Sequence, residues 1–293
     1  MAQSPTNTTA IPADPPRYGL IPQLLAPTPP ELAARFIQGY AYQPEGCDPT
    51  GAEATVCASS TGQINSPGAQ SVLEGQPVWL WAEDACSAFG FAARDWEGRV
   101  RRQLAAHQSY DLARELWEGN ASQIAGLGNL YLSSPDANEV TSVPTAVGKA
   151  IGCLEAALAS GLAGTPGLIH MTAQALAQAA LLGVIRFESG TWRTPMGTAV
   201  IADAGYSGAG PGNEPAGDSQ WAYATPMLQV WLAEVTVRPS SVDDRAALAE
   251  SMDITVNDIV VRAGRLAMVG WQNECVHAAA ELDLPVCGYG TGS

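Results

Sequence analysis

The chain has 293 residues, 46% of them hydrophobic and only 15% charged, with a formal net charge of −15. That length and apolar content suffice for one large domain or two modest ones around a substantial core. Fourteen basic residues, of which only Lys149 is lysine, argue against sequence-specific nucleic-acid binding, which draws on a basic stripe; the lack of an apolar run of about 18 residues argues against a membrane span.

The first stretch, MAQSPTNTTAIPADPP, has neither the basic start nor the apolar block of a secretory signal, so a soluble product made in the cytosol is expected. Eight prolines fall within the first 30 residues. Each fixes φ and removes a donor, so this arm is expected to be extended, with a short helical turn or two, and to lie on something else because it cannot build its own core. Residues 46–71, GCDPTGAEATVCASSTGQINSPGAQS, are rich in turn formers and predict a long projecting loop or hairpin. QPVWLWAED then supplies a β-run with Trp79 and Trp81 on one face.

Trp96, Val100, Leu104, Leu112 and Leu116 recur at multiples of four and predict an amphipathic helix near 92–118, ended by the breakers Gly119 and Asn120. Arg99, Arg101 and Arg102 cluster on it beside Asp95 and Glu97 and read as a solvated or paired face. His107 reads as packed or capped rather than as a ligand. A second helix is expected from VPTAVGKAIGCLEAALASG, with Val147, Ile151, Leu154 and Leu158 on one face, Pro144 in its first turn and Gly161 at its cap. GLIHM predicts a short buried strand, and TAQALAQAALLG a short helix closed by Gly183. GTAVIAD, MLQVWLAEVTVR, ITVNDIVVRAGRLAMVGW and CVHAAAELDL all read as strands, interrupted by a helix in SVDDRAALAESM with Ser241 as its N-cap. Early helices and clustered late strands predict an α+β class.

The stretch TWRTPMGTAVIADAGYSGAGPGN carries the loudest chemical signal. A serine hydrolase would take Ser207 as nucleophile, His170 as base and Asp203 as orienter. The nucleophile elbow needs glycine two residues before and two after the serine; Gly205 fits, but Ala209 stands in the second place and breakers, not a helix, follow. A phosphate loop fails as well, since Ala150 follows Lys149 where a serine or threonine is needed, and GAGPG runs into coil rather than a helix. The glycine run therefore reads as a flexible connection between elements. Six cysteines, at 47, 57, 86, 153, 275 and 287, form no C-x-x-C pair. Cys275 and His277 could share a strand face as ligands, but a buried strand cysteine is the simpler reading. Cys47 and Cys57 could bridge a hairpin, with reduced thiols the default in the cytosol. No catalytic, cofactor-binding or metal residue is assigned.

The order of segments, together with RRQLAAHQSYDLARELWEGN, IHMTAQALAQAALLG, TPMGTAVIADAGYSG, QWAYATPMLQVWLAEV and VVRAGRLAMVGWQNECVHAAAELDL, resembles major capsid proteins of tailed bacteriophages with the Hong Kong 97-like fold, those of actinobacterial phages in particular. The resemblance covers roughly residues 75 to 285 and lies in block order and spacing. It implies an N-terminal arm over 1–42, an extended loop over 43–82, a peripheral domain with its spine helix over 83–159 and 226–293, and an axial domain over 160–225. It implies a non-enzymatic chain that assembles as hexamers and pentamers into an icosahedral shell around double-stranded DNA, held without sequence-specific contacts. It further implies assembly in the host bacterial cytoplasm and service from a portal, a separate scaffolding protein and a decoration protein. Trp79, Trp81, Arg99, Arg101, Arg102, Gly208 and Gly210 are the implied inter-subunit contacts. Some relatives weld their shells through a loop lysine; this loop has none, so a non-covalent shell is expected. An encapsulin-like compartment, sharing the fold but holding enzymes, is the alternative, with a hydrolase using Ser207 or a shell-decorating module behind it.

Overall fold

The computed structural model describes residues 15–42, 72–87, 95–239, 252–253 and 258–284. The expected helix capped by Ser241, the loop over 46–71, and Cys47 and Cys57 lie outside the described residues.

The arm forms two helices of five residues, α1 (Leu20–Leu24) and α2 (Pro30–Ala34), and then β1 (Tyr40–Tyr42), which pairs with β2 (Leu73–Gly75). The predicted long helix is α3 (Trp96–Glu118), which starts where the Asp95 carboxylate accepts the Gly98 N–H at 3.0 Å and stops at Gly119, left-handed at φ 65°. Val100, Leu104, Leu112 and Leu116 are buried on one stripe, as their spacing requires. Asn120 does not merely end this helix; it opens α4 (Asn120–Ala125), because the Glu115 carboxylate accepts the N–H groups of Ala121 and Ser122, both at 2.8 Å. His107 is exposed rather than packed.

Five strands make the first sheet. β3 (Val78–Ser87) runs antiparallel along one edge of β13 (Asp258–Trp271), while β12 (Met252–Asp253), β11 (Thr236–Arg238) and β10 (Leu228–Leu232) follow one another along the other edge. The expected strand MLQVWLAEVTVR is thus two strands, β10 and β11. Pairing puts Val78, Leu80, Val261, Ala263 and Ala267 on the side covered by α3, where they share a core with Leu104, Leu112 and Leu116.

The second sheet has seven strands in the order β4-β14-β9-β5-β8-β7-β6. These are β4 (Asn138–Glu139), β5 (Gly167–Thr172), β6 (Arg186–Glu188), β7 (Thr191–Arg193), β8 (Ala199–Asp203), β9 (Gln220–Pro226) and β14 (Ala278–Leu282). β5 runs parallel to β8 and β4 to β14; the other pairs are antiparallel. Helices α5 (Val147–Gly161) and α6 (Ala173–Leu181) cover one face. The N-terminal cap of α6 is the Thr172 hydroxyl, accepting the Ala175 N–H at 3.2 Å, and Gly183 at φ 70° follows its end. The opposite face meets the C-terminal half of α3, where Trp117 packs edge-on to Tyr223 at 5.0 Å. Strand β9 lies between two covered faces and is buried at all seven positions. Mixed helix and sheet in these proportions is the α+β class expected.

Candidate functional site

The three residues of the hydrolase reading do not act on one another. His170 is fully buried, with Nδ1 2.9 Å from the Tyr206 hydroxyl and Nε2 3.0 Å from the Thr225 hydroxyl. Thr225 donates to the Pro226 carbonyl, so it accepts from Nε2–H, and Tyr206 donates to Nδ1. Burial lowers the imidazole to about 3, which keeps it neutral, and neither nitrogen is open to Ser207. Asp203 orients no histidine. One of its carboxylate oxygens accepts the Leu20 N–H and the Ser109 O–H, each at 2.8 Å, and the other accepts the Gly205 N–H at 3.0 Å. Burial raises its pKa, against the lowering effect of those hydrogen bonds. Asp203 therefore ties α1, α3 and β8 together.

The glycine run is a buried joint, which corrects the expectation of a flexible connection. A Cβ at Gly205 would stand 2.1 Å from the Tyr110 carbonyl oxygen, so α3 sits directly on this backbone. Ala209 offers its carbonyl to Trp117 Nε1–H at 3.1 Å and to the Tyr223 hydroxyl at 2.9 Å. Gly208 is left-handed at φ 78°, and a Cβ at Gly210 would lie 2.5 Å from the Trp221 indole nitrogen. Both glycines are needed inside the chain, so valine there would disturb folding before it could report on assembly. Sequence spacing ruled out the active site, but it could not reveal a helix packed against the loop from about 100 residues away.

Arg99, Arg101 and Arg102 are each paired, with Asp84 at 3.0 Å, Glu97 at 3.0 Å and Asp95 at 3.2 Å, as a paired helix face predicts. Exposed pairs of this kind are worth little individually. Cys275 precedes its strand and is disulfide-bonded, which corrects the reading of a reduced strand cysteine; such a bond follows spatial proximity, which residue spacing does not record. His277 spends Nε2–H on the Leu132 carbonyl at 2.7 Å. Among the described residues no cluster of His, Cys, Asp or Glu could hold a metal ion, and no helix is long and apolar enough to cross a membrane.

What the first sheet presents on its far side is of a different kind. Alternation sends Trp79, Trp81 and Glu83 of β3 away from α3, beside Arg262, Gly264 and Leu266 of β13. Trp79 and Trp81 are 47% and 49% exposed, although tryptophan is costly to leave in water. The Trp79 ring lies over Gly264, where a Cβ would come within 2.2 Å, and the Arg262 guanidinium sits 4.8 Å from the Trp81 ring centre while bonding Glu83 at 2.7 Å. The same face continues to Met268 and Trp231, which are covered by Phe36 of the arm. Sequence reading found the two tryptophans but missed Arg262 and Trp231, because the strands that align them are remote in the chain.

No protein-family model and no curated protein matches this chain. Solved structures do match, over nearly its whole length. A structure from Mycobacterium phage Ogopogo is 12% identical over 96% of both chains with a TM-score of 0.52. The capsid of Ralstonia phage GP4 is 8% identical over 97% of this chain and 96% of that one, with a TM-score of 0.50. The holo-SrpI encapsulin complex from Synechococcus elongatus gives 10% identity over 76% of this chain and 79% of that one, with a TM-score of 0.46. The chain thus shares its fold with these phage proteins, the GP4 capsid among them.

Proposed function

We propose that this chain is the major capsid protein of a tailed bacteriophage, assembling through hexamers and pentamers into an icosahedral head around double-stranded DNA. The observation that carries this reading is the capsid fold followed over 97% of the chain. The open sheet face supports it, since paired tryptophans half in water are suited to burial against a neighbour. The role is structural, in the virion, with assembly in the host cytoplasm. A net charge of −15 supports loose enclosure of DNA, with scaffolding, portal and decoration proteins as partners.

Within this reading residues 1–42 are the arm, 43–82 the extended loop, 83–159 and 226–293 the peripheral domain, and 160–225 the axial domain. The two sheets support such a division, although β4 and β14 join the sheet of the axial segment, so the seam crosses a sheet rather than a linker. Trp79 and Trp81 are the proposed centre of a subunit contact, with Arg99, Arg101 and Arg102 at its rim. Gly208 and Gly210 act on assembly only indirectly, through the fold. Negative-stain microscopy of the expressed chain, alone and with its scaffolding candidate, tests this: uniform hollow shells are expected, and persistent monomers with hydrolase activity would sink the reading. Particles filled with an enzyme rather than DNA would identify an encapsulin-like compartment instead.

A further inference from the structure

The seven-stranded sheet ends in β6 on one side and β4 on the other, and the strand pairings fix which face each end shows. At the β6 end Arg186 stands directly opposite Arg193, and Arg193 pairs with Ala199, which packs into the core beneath α3. Both arginines therefore lie on the α3 face. Like charges directly opposite each other repel. Arg193 donates to the Gly197 carbonyl at 2.7 Å, and neither arginine has an ion-pair partner among the described residues. On the other face, which α5 and α6 cover, Phe187 meets Trp192 edge-on at 5.3 Å and is still 61% exposed. Leu181 and Leu182, at the end of α6, are 81% and 64% exposed. Three large apolar side chains left in water at one end of a sheet mark a contact surface.

The β4 end is the reverse on each face. Glu139 is exposed there, and its pairing with Ala279, itself paired with Tyr223, sets it on the α3 face. Its carboxylate has no ion-pair partner among the described residues, and the exposed Asp136 shortly precedes it. On the helix-covered face a cleft of about 490 Å³ opens between β4 and α5, with Val140, Cys153, Ala156, Ala157 and Val276 in its lining. Cys153, Ala156 and Ala157 fall on one side of α5 at helical spacing, and their small side chains leave the helix standing clear of the strand.

A copy laid beside another without being turned over brings the β6 end of one to the β4 end of the next with both faces matched. The arginines then meet a carboxylate, and the apolar knob meets the cleft. A two-fold contact joins like ends instead, leaving the arginines without Glu139 and the cleft without a knob, so the fit is head to tail. One match of charge and one of shape fall in the same placement. We infer that the β6 end of one copy docks on the β4 end of a second, with Phe187 in the cleft beside α5 and Arg186 and Arg193 on Glu139. This surface is distinct from the Trp79 and Trp81 face, and the inference rests on the assembly reading.

The test uses variants of the full chain, followed by sedimentation velocity and electron microscopy. Phe187→Asp spoils the knob and Ala157→Trp fills the cleft, so each alone should associate roughly tenfold more weakly or worse, given what seating a phenylalanine is worth. Mixed together they should form one-to-one pairs, because the knob of one and the cleft of the other are intact. Variants that each associate as wild type does, or a mixture no better than its parts, would overturn the docking. R186E/R193E changes exposed charges only and should weaken association about tenfold, as two exposed pairs turn from attraction to repulsion. Adding Glu139→Arg to that chain should recover it; unchanged association in R186E/R193E would overturn the charge match. Micrographs separate this contact from the capsid reading. Shells closing normally from every variant would sink the docking alone, whereas wild-type oligomers that the variants break, without shells, would uphold the docking and count against the capsid. A wild type that never associates would sink both.

Discussion

Replacing Asp203 with alanine should loosen the first helix of the chain from its body. The carboxylate accepts from Leu20 N–H, Ser109 O–H and Gly205 N–H, and Leu20 and Ser109 are 0% and 2% exposed, so water cannot readily substitute. An orphaned buried donor costs about 1–3 kcal/mol, and removing a buried carboxylate returns part of that, so three donors give a net loss of about 3–5 kcal/mol. At about 2 °C per kcal/mol for a chain of this size, melting of the unassembled protein should fall by roughly 6–10 °C. Hydrogen exchange should quicken most over α1, because the Leu20 amide loses its acceptor and Ile21 N–H, which reaches Ser109 Oγ at 3.4 Å, loses an anchored one. Asp203→Asn keeps one acceptor oxygen and should fall between the two. Melting within 2 °C of wild type, with α1 exchange unchanged, would refute the idea that Asp203 joins these elements.

Acidification should destabilise the unassembled chain through His170. Its folded pKa of about 3 lies below the ordinary 6.5, so the stability is fully present above pH 6.5 and is lost as pH falls toward 3. The loss reaches about 2 kcal/mol at pH 5. Burial lowers His277 as well and adds in the same direction, while the raised Asp203 acts oppositely. A flat profile of urea midpoints between pH 7 and 5 would contradict this. W79A/W81A, changing two half-exposed side chains, should alter monomer stability by no more than about 1 kcal/mol yet abolish or slow shell formation; normal shells would remove that face from the interface. Boiled shells should run as a single band at 30.4 kDa on a denaturing gel, since the one lysine, Lys149, is on α5 and not in the loop; a covalent ladder would contradict this.

Local periodicity decided a good deal. The four-residue recurrence from Val100 to Leu116 places α3 within a few residues of its ends, and proline density explains why the α-helices among the described residues of the arm are only five residues long. Strand β9 was harder to see. It is covered on both faces, so QWAYATP lacks the alternation that marks a half-buried strand, although it stands near the centre of its sheet. Asp203, His170 and Ser207 suggested chemistry because the sequence carries residue types without their partners. Their actual partners lie up to 183 residues away.

By itself the sequence determined which segments could be helix, which must seek cover from elsewhere, and that spacing forbids a nucleophile elbow; these follow from backbone geometry within a few residues. Only the tertiary structure decided that the glycine run is a seat for α3, that Arg262 lies against Trp81, and that Trp231 lies over Gly270 beside Tyr40. Those depend on strand pairings and packing between distant parts of the chain, whose partners are chosen by burial of the whole core rather than by any local pattern.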